Sequence, residues 1–102
     1  MPIDAFWEIL KELGDLHDLK SKDYGTDGDP YANVRGSAAY GVAPWVGAMI
    51  RANDKVVRIQ QFIRKGTLAN EGLEDSLKDL AVYSIIALLL RREQEDREEL
   101  DL

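Results

Sequence analysis

The sequence predicts an all-α protein with three long helices and one ordered loop, completed as a helical bundle by homo-oligomerisation. Apolar residues recur at three- and four-residue steps in two segments, which is typical of amphipathic helices. A third segment is apolar almost without interruption from Leu80 to Leu90, and a helix that is apolar on every side must be surrounded by protein. The 102 residues make one domain, predicted at residues 1–95, with a charged tail at residues 96–102.

Composition excludes several classes of function. A formal net charge of −6 argues against a nucleic-acid duplex as partner, because phosphate binding needs a basic surface. The chain has no cysteine and one histidine, His17, which excludes thiolate and histidine-rich metal sites. No signal peptide opens the chain, and the apolar run of eleven residues is shorter than the ~20 that a bilayer span needs. We therefore expect a cytoplasmic protein without a membrane partner.

The first helix is predicted from Ile3 to Lys20, with an apolar stripe that includes His17. A packed core histidine is favoured there over a catalytic one. The segment from Ser21 to Ala43 has no helical period and is rich in turn-forming glycine, aspartate and proline; one helical turn is expected at Tyr31–Val34. Loops of this length are usually functional or disordered, and three tyrosines favour an ordered, functional loop: Tyr24, Tyr31 and Tyr40.

The second helix is predicted from Pro44 to Gly66, since proline suits a first turn and glycine ends a helix. The third helix is predicted to begin near Asn70, a suitable N-cap, and to run past Arg92 into a solvated, frayed tail. Homo-oligomerisation into a dimer or tetramer is expected because the apolar third helix needs more cover than three helices provide. Ile85, Ile86, Leu89 or Leu90 is predicted to cross the interface.

Charged residues on the second helix recur at i, i+3, i+4 and i+7, which brings them onto one face. They are Arg51, Asp54, Lys55 and Arg58. One interpretation is a solvated face with an Asp54–Arg58 pair worth ~0.3–0.5 kcal/mol. The other is one carboxylate for a metal beside three cations for phosphate oxygens. Three cations on one stripe of so acidic a chain weaken the first interpretation.

Two aspartates of the third helix, Asp75 and Asp79, precede the apolar run. Carboxylates four residues apart project side by side, ~6 Å between Cβ atoms, close enough to hold one divalent cation. Oxygen ligands without histidine or cysteine indicate Mg²⁺ or Mn²⁺. The competing interpretation is helix capping by Asp75 and an ion pair of Asp79 with Lys78 or with an arginine of another chain.

The loop motif KDYG, at Lys22–Gly25, combines an acid, an aromatic ring and a glycine hinge. Trp45 offers a second ring, for which packing is the simpler role. Neither the G-x-x-x-x-G-K-[ST] nor the G-x-G-x-x-G nucleotide-binding motif is present, and the loop aspartates lack the calcium-loop spacing. A G-x-S-x-G nucleophile motif is also missing.

Three motifs together resemble small phage proteins described as MazG-like and the nucleotide-modification-associated helical domains. The motifs are KDYG at Lys22–Gly25, R-x-x-D-K-x-x-R at Arg51–Arg58 and D-S-x-x-D-L-A-x-Y at Asp75–Tyr83, and the resemblance spans His17–Glu93. The last motif, followed by an apolar helix, is similar to the last metal-binding helix of all-α nucleoside triphosphate pyrophosphohydrolases. That superfamily carries E-E-x-x-E and E-x-x-D elements, whereas this chain has fewer carboxylates in a different spacing.

The resemblance implies Mg²⁺-dependent hydrolysis of a nucleoside triphosphate, with a deoxynucleotide favoured, to the monophosphate and pyrophosphate. The implied metal ligands are Asp54, Asp75 and Asp79, and the implied catalytic carboxylates are Asp23, Asp54 and Asp79. The implied substrate-binding residues are Tyr24, Trp45, Arg51, Lys55 and Arg58. Two alternatives remain: a non-catalytic protein that binds or sequesters a nucleotide, and a purely structural helical oligomer.

Overall fold

The computed structural model describes residues 2–24, 28–67 and 72–100, apart from the side chains of residues 2, 3, 23 and 24. Helices account for nearly all of these residues: α1 (Pro2–Tyr24), α2 (Ala32–Arg35), a 3₁₀ segment (Gly36–Tyr40), α3 (Pro44–Lys65) and α4 (Leu73–Leu100). The all-α prediction is confirmed. Across the described helices, none combines the length and hydropathy needed to cross a membrane.

The chain divides into two compact units, Met1–Asn33 and Val34–Leu102. In the first, the ring of His17 stacks on that of Tyr31, with centroids 5.6 Å apart and planes inclined by 13°. The Tyr31 backbone N–H donates to Asp29 Oδ1 at 3.0 Å, so a local aspartate turn holds the tyrosine. His17 is half-buried and packs against an aromatic ring.

The predicted end of the first helix was wrong, because α1 continues from Lys20 to Tyr24. No glycine or proline interrupts residues 21–24, and the Ser21 hydroxyl donates to the His17 carbonyl one turn earlier at 2.7 Å. Three residues of the KDYG motif are therefore helical and do not belong to a loop. Much of the remaining predicted loop is also helical, as α2 and the 3₁₀ segment.

Helix α3 has the predicted start and ends where expected: Gly66 adopts φ +78° and donates its N–H to the Phe62 carbonyl. The predicted N-cap of the third helix, Asn70, lies outside the described residues. Helix α4 runs past Arg92, as predicted, and continues to Leu100 with residues 95–100 exposed. Glutamate and arginine are good helix formers, and pairs one turn apart support this stretch, with Arg91–Glu95 at 3.5 Å.

Helices α3 and α4 pack along each other as an antiparallel hairpin, since only seven residues connect them. The seam between them is made largely of small side chains: Ala48, Ala52, Ser76 and Ala87. Small residues allow two helix backbones to approach closely. Leu90 is also buried here, where it packs in the core of this unit.

Two contacts define the sides of this hairpin. Arg35 pairs with Glu93 of α4 at 2.9 Å, and Ser37 lies against Gly47 of α3. The Gly47 flank of α3 and the Glu93 flank of α4 therefore both face the segment that contains Arg35 and Ser37. At 100° per residue, the Gly47 flank of α3 also carries Arg51, Asp54 and Arg58, and the Glu93 flank of α4 carries Asp75. We call this the arginine side.

The opposite flanks make up the apolar side. It consists of Met49, Val56 and Ile63 from α3 and Leu77, Ala81, Ser84 and Leu88 from α4. The spacings i, i+7, i+14 and i, i+4, i+7, i+11 keep each set on one helix face.

Gly47 is a close-approach position, so its substitution tests the packing of the 3₁₀ segment. A Cβ there would lie 2.6 Å from Ser37 Oγ and 3.0 Å from the Val34 carbonyl oxygen. We expect Gly47→Ala to lower the free energy of unfolding by about 1–3 kcal/mol, as overpacking does. Urea denaturation followed by circular dichroism measures this change.

Gly14→Ala is the matched control. Gly14 is also helical, but no described atom would come within 4 Å of its Cβ. We expect it to raise stability by about 0.5–1 kcal/mol through helix propensity. A destabilisation of equal size in both variants would contradict the close approach at Gly47.

Candidate functional site

The predicted phosphate-binding stripe and one predicted metal ligand lie on the same side of the hairpin. Arg51, Asp54 and Arg58 line the arginine side of α3, and Asp75 lies on that side of α4. Lys55 and Asp79 lie at the same height along the hairpin. Because the two helices are antiparallel, Arg58, one turn further along α3, lies at the height of Asp75, one turn earlier on α4. The fold thus brings two arginines and two carboxylates to one surface.

Lys55 and Asp79 form an ion pair inside the seam. Lys55 Nζ lies 3.0 Å from Asp79 Oδ2, with side-chain exposures of 18% and 6%. The competing sequence interpretation, in which Asp79 pairs with a cation, has the right chemistry but a different partner. Lys78 instead lies 3.6 Å from Glu74 on the same helix. Asp79 is therefore a core carboxylate whose charge is balanced across the α3–α4 contact.

The three predicted metal ligands differ in their surroundings. Asp54 and Asp75 are exposed, whereas Asp79 is buried against Lys55. In the part of the chain that the structure describes, no three acidic or histidine side chains converge to hold a metal ion. Mg²⁺ commonly binds one or two carboxylates together with water and substrate phosphates. Asp54 and Asp75 are the exposed carboxylates of the predicted set.

The remaining predicted residues lie on other elements or at the start of α3. Asp23 and Tyr24 belong to the last turn of α1, and their side chains lie outside the described residues. Trp45 is half-buried in the first turn of α3, on the flank that leads toward the apolar side. The structure therefore brings together Arg51, Asp54, Arg58 and Asp75, with the Lys55–Asp79 pair in the seam beside them.

Sequence analysis missed one polar cluster. Arg35 donates from both terminal nitrogens to the Glu93 carboxylate, at 2.9 and 3.3 Å. A cavity of about 220 Å³ lies beside this pair, between the start of α3 and the last turns of α4. The pair joins residues 58 positions apart, and no periodic pattern in the sequence signals such a contact.

Comparison with models of known protein families, with curated proteins and with solved structures finds no match to this chain. The resemblance to MazG-like proteins therefore stays a prediction. The functional proposal is based on residues of the α3–α4 hairpin.

A double-mutant cycle tests whether Lys55 and Asp79 depend on each other. Lys55→Met leaves a buried carboxylate without its partner, which typically costs about 3–5 kcal/mol of stability. Asp79→Asn removes the opposite charge with little change of shape. We expect the double variant to lose clearly less stability than the sum of the two single variants, as measured by urea denaturation.

The Glu74–Lys78 pair provides the control cycle, because its glutamate is 84% exposed. Exposed pairs of this kind couple by about 0.2–1 kcal/mol, so Glu74→Gln and Lys78→Met should be nearly additive. Additivity in both cycles would show that the Lys55–Asp79 contact contributes nothing to the fold.

Proposed function

We propose that this protein hydrolyses a nucleoside triphosphate, favouring a deoxynucleotide, to the monophosphate and pyrophosphate in a Mg²⁺-dependent reaction. The observation that supports this most directly is the arginine side, where Arg51 and Arg58 flank Asp54 and Asp75. The resemblance to MazG-like and all-α pyrophosphohydrolase sequences supplies the reaction type. The phage setting and the cytoplasmic location that it implies are part of the same proposal.

The arginines supply phosphate recognition. A guanidinium presents a planar fork of donors that makes two parallel charge-assisted hydrogen bonds to phosphate oxygens. Arg51 and Arg58 lie two turns apart on α3, ~10 Å along the helix axis at 1.5 Å per residue. That spacing suits the length of a triphosphate chain, so one nucleotide spans both.

The carboxylates hold the ion and the attacking water. Mg²⁺, when bound, neutralises charge that develops on the phosphate oxygens. Asp54 and Asp75 orient the ion, and Asp23 is the proposed base for water. Water adds to the phosphorus that carries the nucleoside, the bond to the bridging oxygen breaks, and pyrophosphate leaves. Tyr24 and Trp45 are the proposed stacking surfaces for the base.

The Lys55–Asp79 pair limits how these two residues take part. Lys55 Nζ contacts Asp79 Oδ2 at 3.0 Å, and the Asp79 side chain is 6% exposed. A metal ion would need access to this buried carboxylate, and a phosphate would compete with it for Lys55. The pair joins the two helices, and Asp54 and Asp75 are the more accessible carboxylates.

A second candidate function is nucleotide binding without cleavage. The closed pair favours it, because it leaves Asp54 and Asp75 as the exposed carboxylates of the predicted metal set. Such a protein would sequester or deliver a nucleotide. A purely structural helical oligomer is the third candidate, and it does not require a row of cations on α3. In each case we propose that the chain works as a homo-oligomer, a dimer or a tetramer.

Arg58→Ala tests phosphate recognition. Loss of a charged hydrogen bond, worth about 1.5–3 kcal/mol, should raise the dissociation constant for a nucleoside triphosphate with Mg²⁺ by roughly 10- to 100-fold. Calorimetric titration measures this constant. Arg92→Ala, an exposed arginine on the outer surface of α4, is the control and should leave affinity unchanged. Equal affinities in wild type and both variants would favour the structural oligomer.

Product analysis separates the first two candidates. Purified protein is incubated with Mg²⁺ and a panel of canonical and modified nucleoside triphosphates, and pyrophosphate and monophosphate are quantified. We expect both products in equal amounts, and a loss of at least 10-fold in rate for Asp54→Asn, which removes a charge on the arginine side. Tight binding without either product would establish the non-catalytic function.

A further inference from the structure

The apolar side of the hairpin is unusually exposed for a helix pair. Large side chains stand at its ends, with exposures of 43% for Met49, 49% for Leu77 and 51% for Leu88, and 75% for Ile63. Charged residues are missing from this face of α4 between Leu77 and Leu88, since the two in that stretch turn elsewhere: Lys78 pairs with Glu74 and Asp79 with Lys55.

The area of this face matches what a dimer needs. Four large apolar side chains exposed to this degree contribute on the order of 400 Å². A standard interface buries about 800 Å² per partner, of which somewhat more than half is non-polar. The apolar side can therefore supply the whole apolar part of one such interface.

The face is also complementary to itself. On α4 the large residues Leu77 and Leu88 flank the small residues Ala81 and Ser84. A two-fold axis places the same surface of both copies in contact. Centred near Ala81 and Ser84, it would set Leu77 of one copy against Leu88 of the other, and the small residues at the centre would allow the two α4 helices to approach closely.

We propose that a second copy of this chain docks on the apolar side, so that two α3–α4 hairpins pack face to face as a four-helix core. The arginine side then faces outward on each copy. Each phosphate-binding surface is built from the residues of one hairpin, so dimerisation and ligand binding at that surface are separable. The dimer does not rest on the proposed nucleotide function.

Leu88→Glu tests the docking face. Light scattering should give wild type twice the chain mass of 11.5 kDa at micromolar concentration, and the variant the mass of one chain. Ile50→Glu is the matched control, because Ile50 is 54% exposed but lies on the side of α3 that faces away from the seam. It should leave the dimer intact. Circular dichroism verifies that each variant is helical, and Leu77→Glu replaces Leu88→Glu if that variant fails to fold.

A single introduced cysteine provides an independent readout, since the chain has none. Ser84→Cys lies at the centre of the proposed interface and should give a disulfide-linked dimer on mild oxidation. Ala38→Cys, exposed on the 3₁₀ segment on the opposite side, should stay largely monomeric under the same conditions. A wild-type mass of one chain, or an unchanged oligomer in both Leu88→Glu and Leu77→Glu, would overturn the proposal. A wild-type mass of one chain would mean that another segment of the same chain covers this face.

Discussion

The ion pair between Lys55 and Asp79 sets the register of the helix pair on which the fold of the second unit depends. Its atoms lie 3.0 Å apart in a seam lined mostly by alanine and serine. Small side chains allow close approach but discriminate poorly between registers, because one alanine replaces another at little difference in free energy. A buried charge discriminates strongly, since a slip along the seam would leave both groups desolvated and unpaired. Packing of the small residues thus brings the two helices close together, and the ion pair fixes their alignment along the helix axis.

The register links structure to the candidate function. Because Lys55 is level with Asp79, Arg58 is level with Asp75, and a basic and an acidic side chain from different helices reach the same surface. The arginine side therefore depends on a contact that itself faces away from solvent. A change in the seam would alter the surface without touching any residue on it.

Periodicity predicted much of the secondary structure, and its failures have local causes. The start of α3 at Pro44 and its end at Gly66 follow from residues whose backbone preferences admit few alternatives. The predicted end of α1 was wrong because polar residues indicate exposure, whereas glycine and proline indicate an interruption of the helix. Residues 21–24 are polar, but no glycine or proline occurs there before Gly25.

The site was predictable within each helix but not between helices. Spacing alone indicated that Arg51, Asp54 and Arg58 share a face, and it also predicted that Asp75 and Asp79 project side by side. In the structure one of these aspartates is exposed and the other is buried. A helix turns 40° in four residues beyond a full turn, and at the edge of a seam that angle separates solvent from core. The partner of Asp79 depends on inter-helix alignment, which no pattern within one helix contains.

The Arg35–Glu93 contact has a consequence for the order in which the molecule forms. Helices α3 and α4 interact through neighbouring parts of the chain, so their pairing closes a short loop and is entropically inexpensive. The Arg35–Glu93 contact joins residues 58 positions apart, so it closes a much longer loop and has the larger entropic cost. The hairpin is therefore expected to form first, and the contact then fixes Arg35 and the cavity beside it against α4.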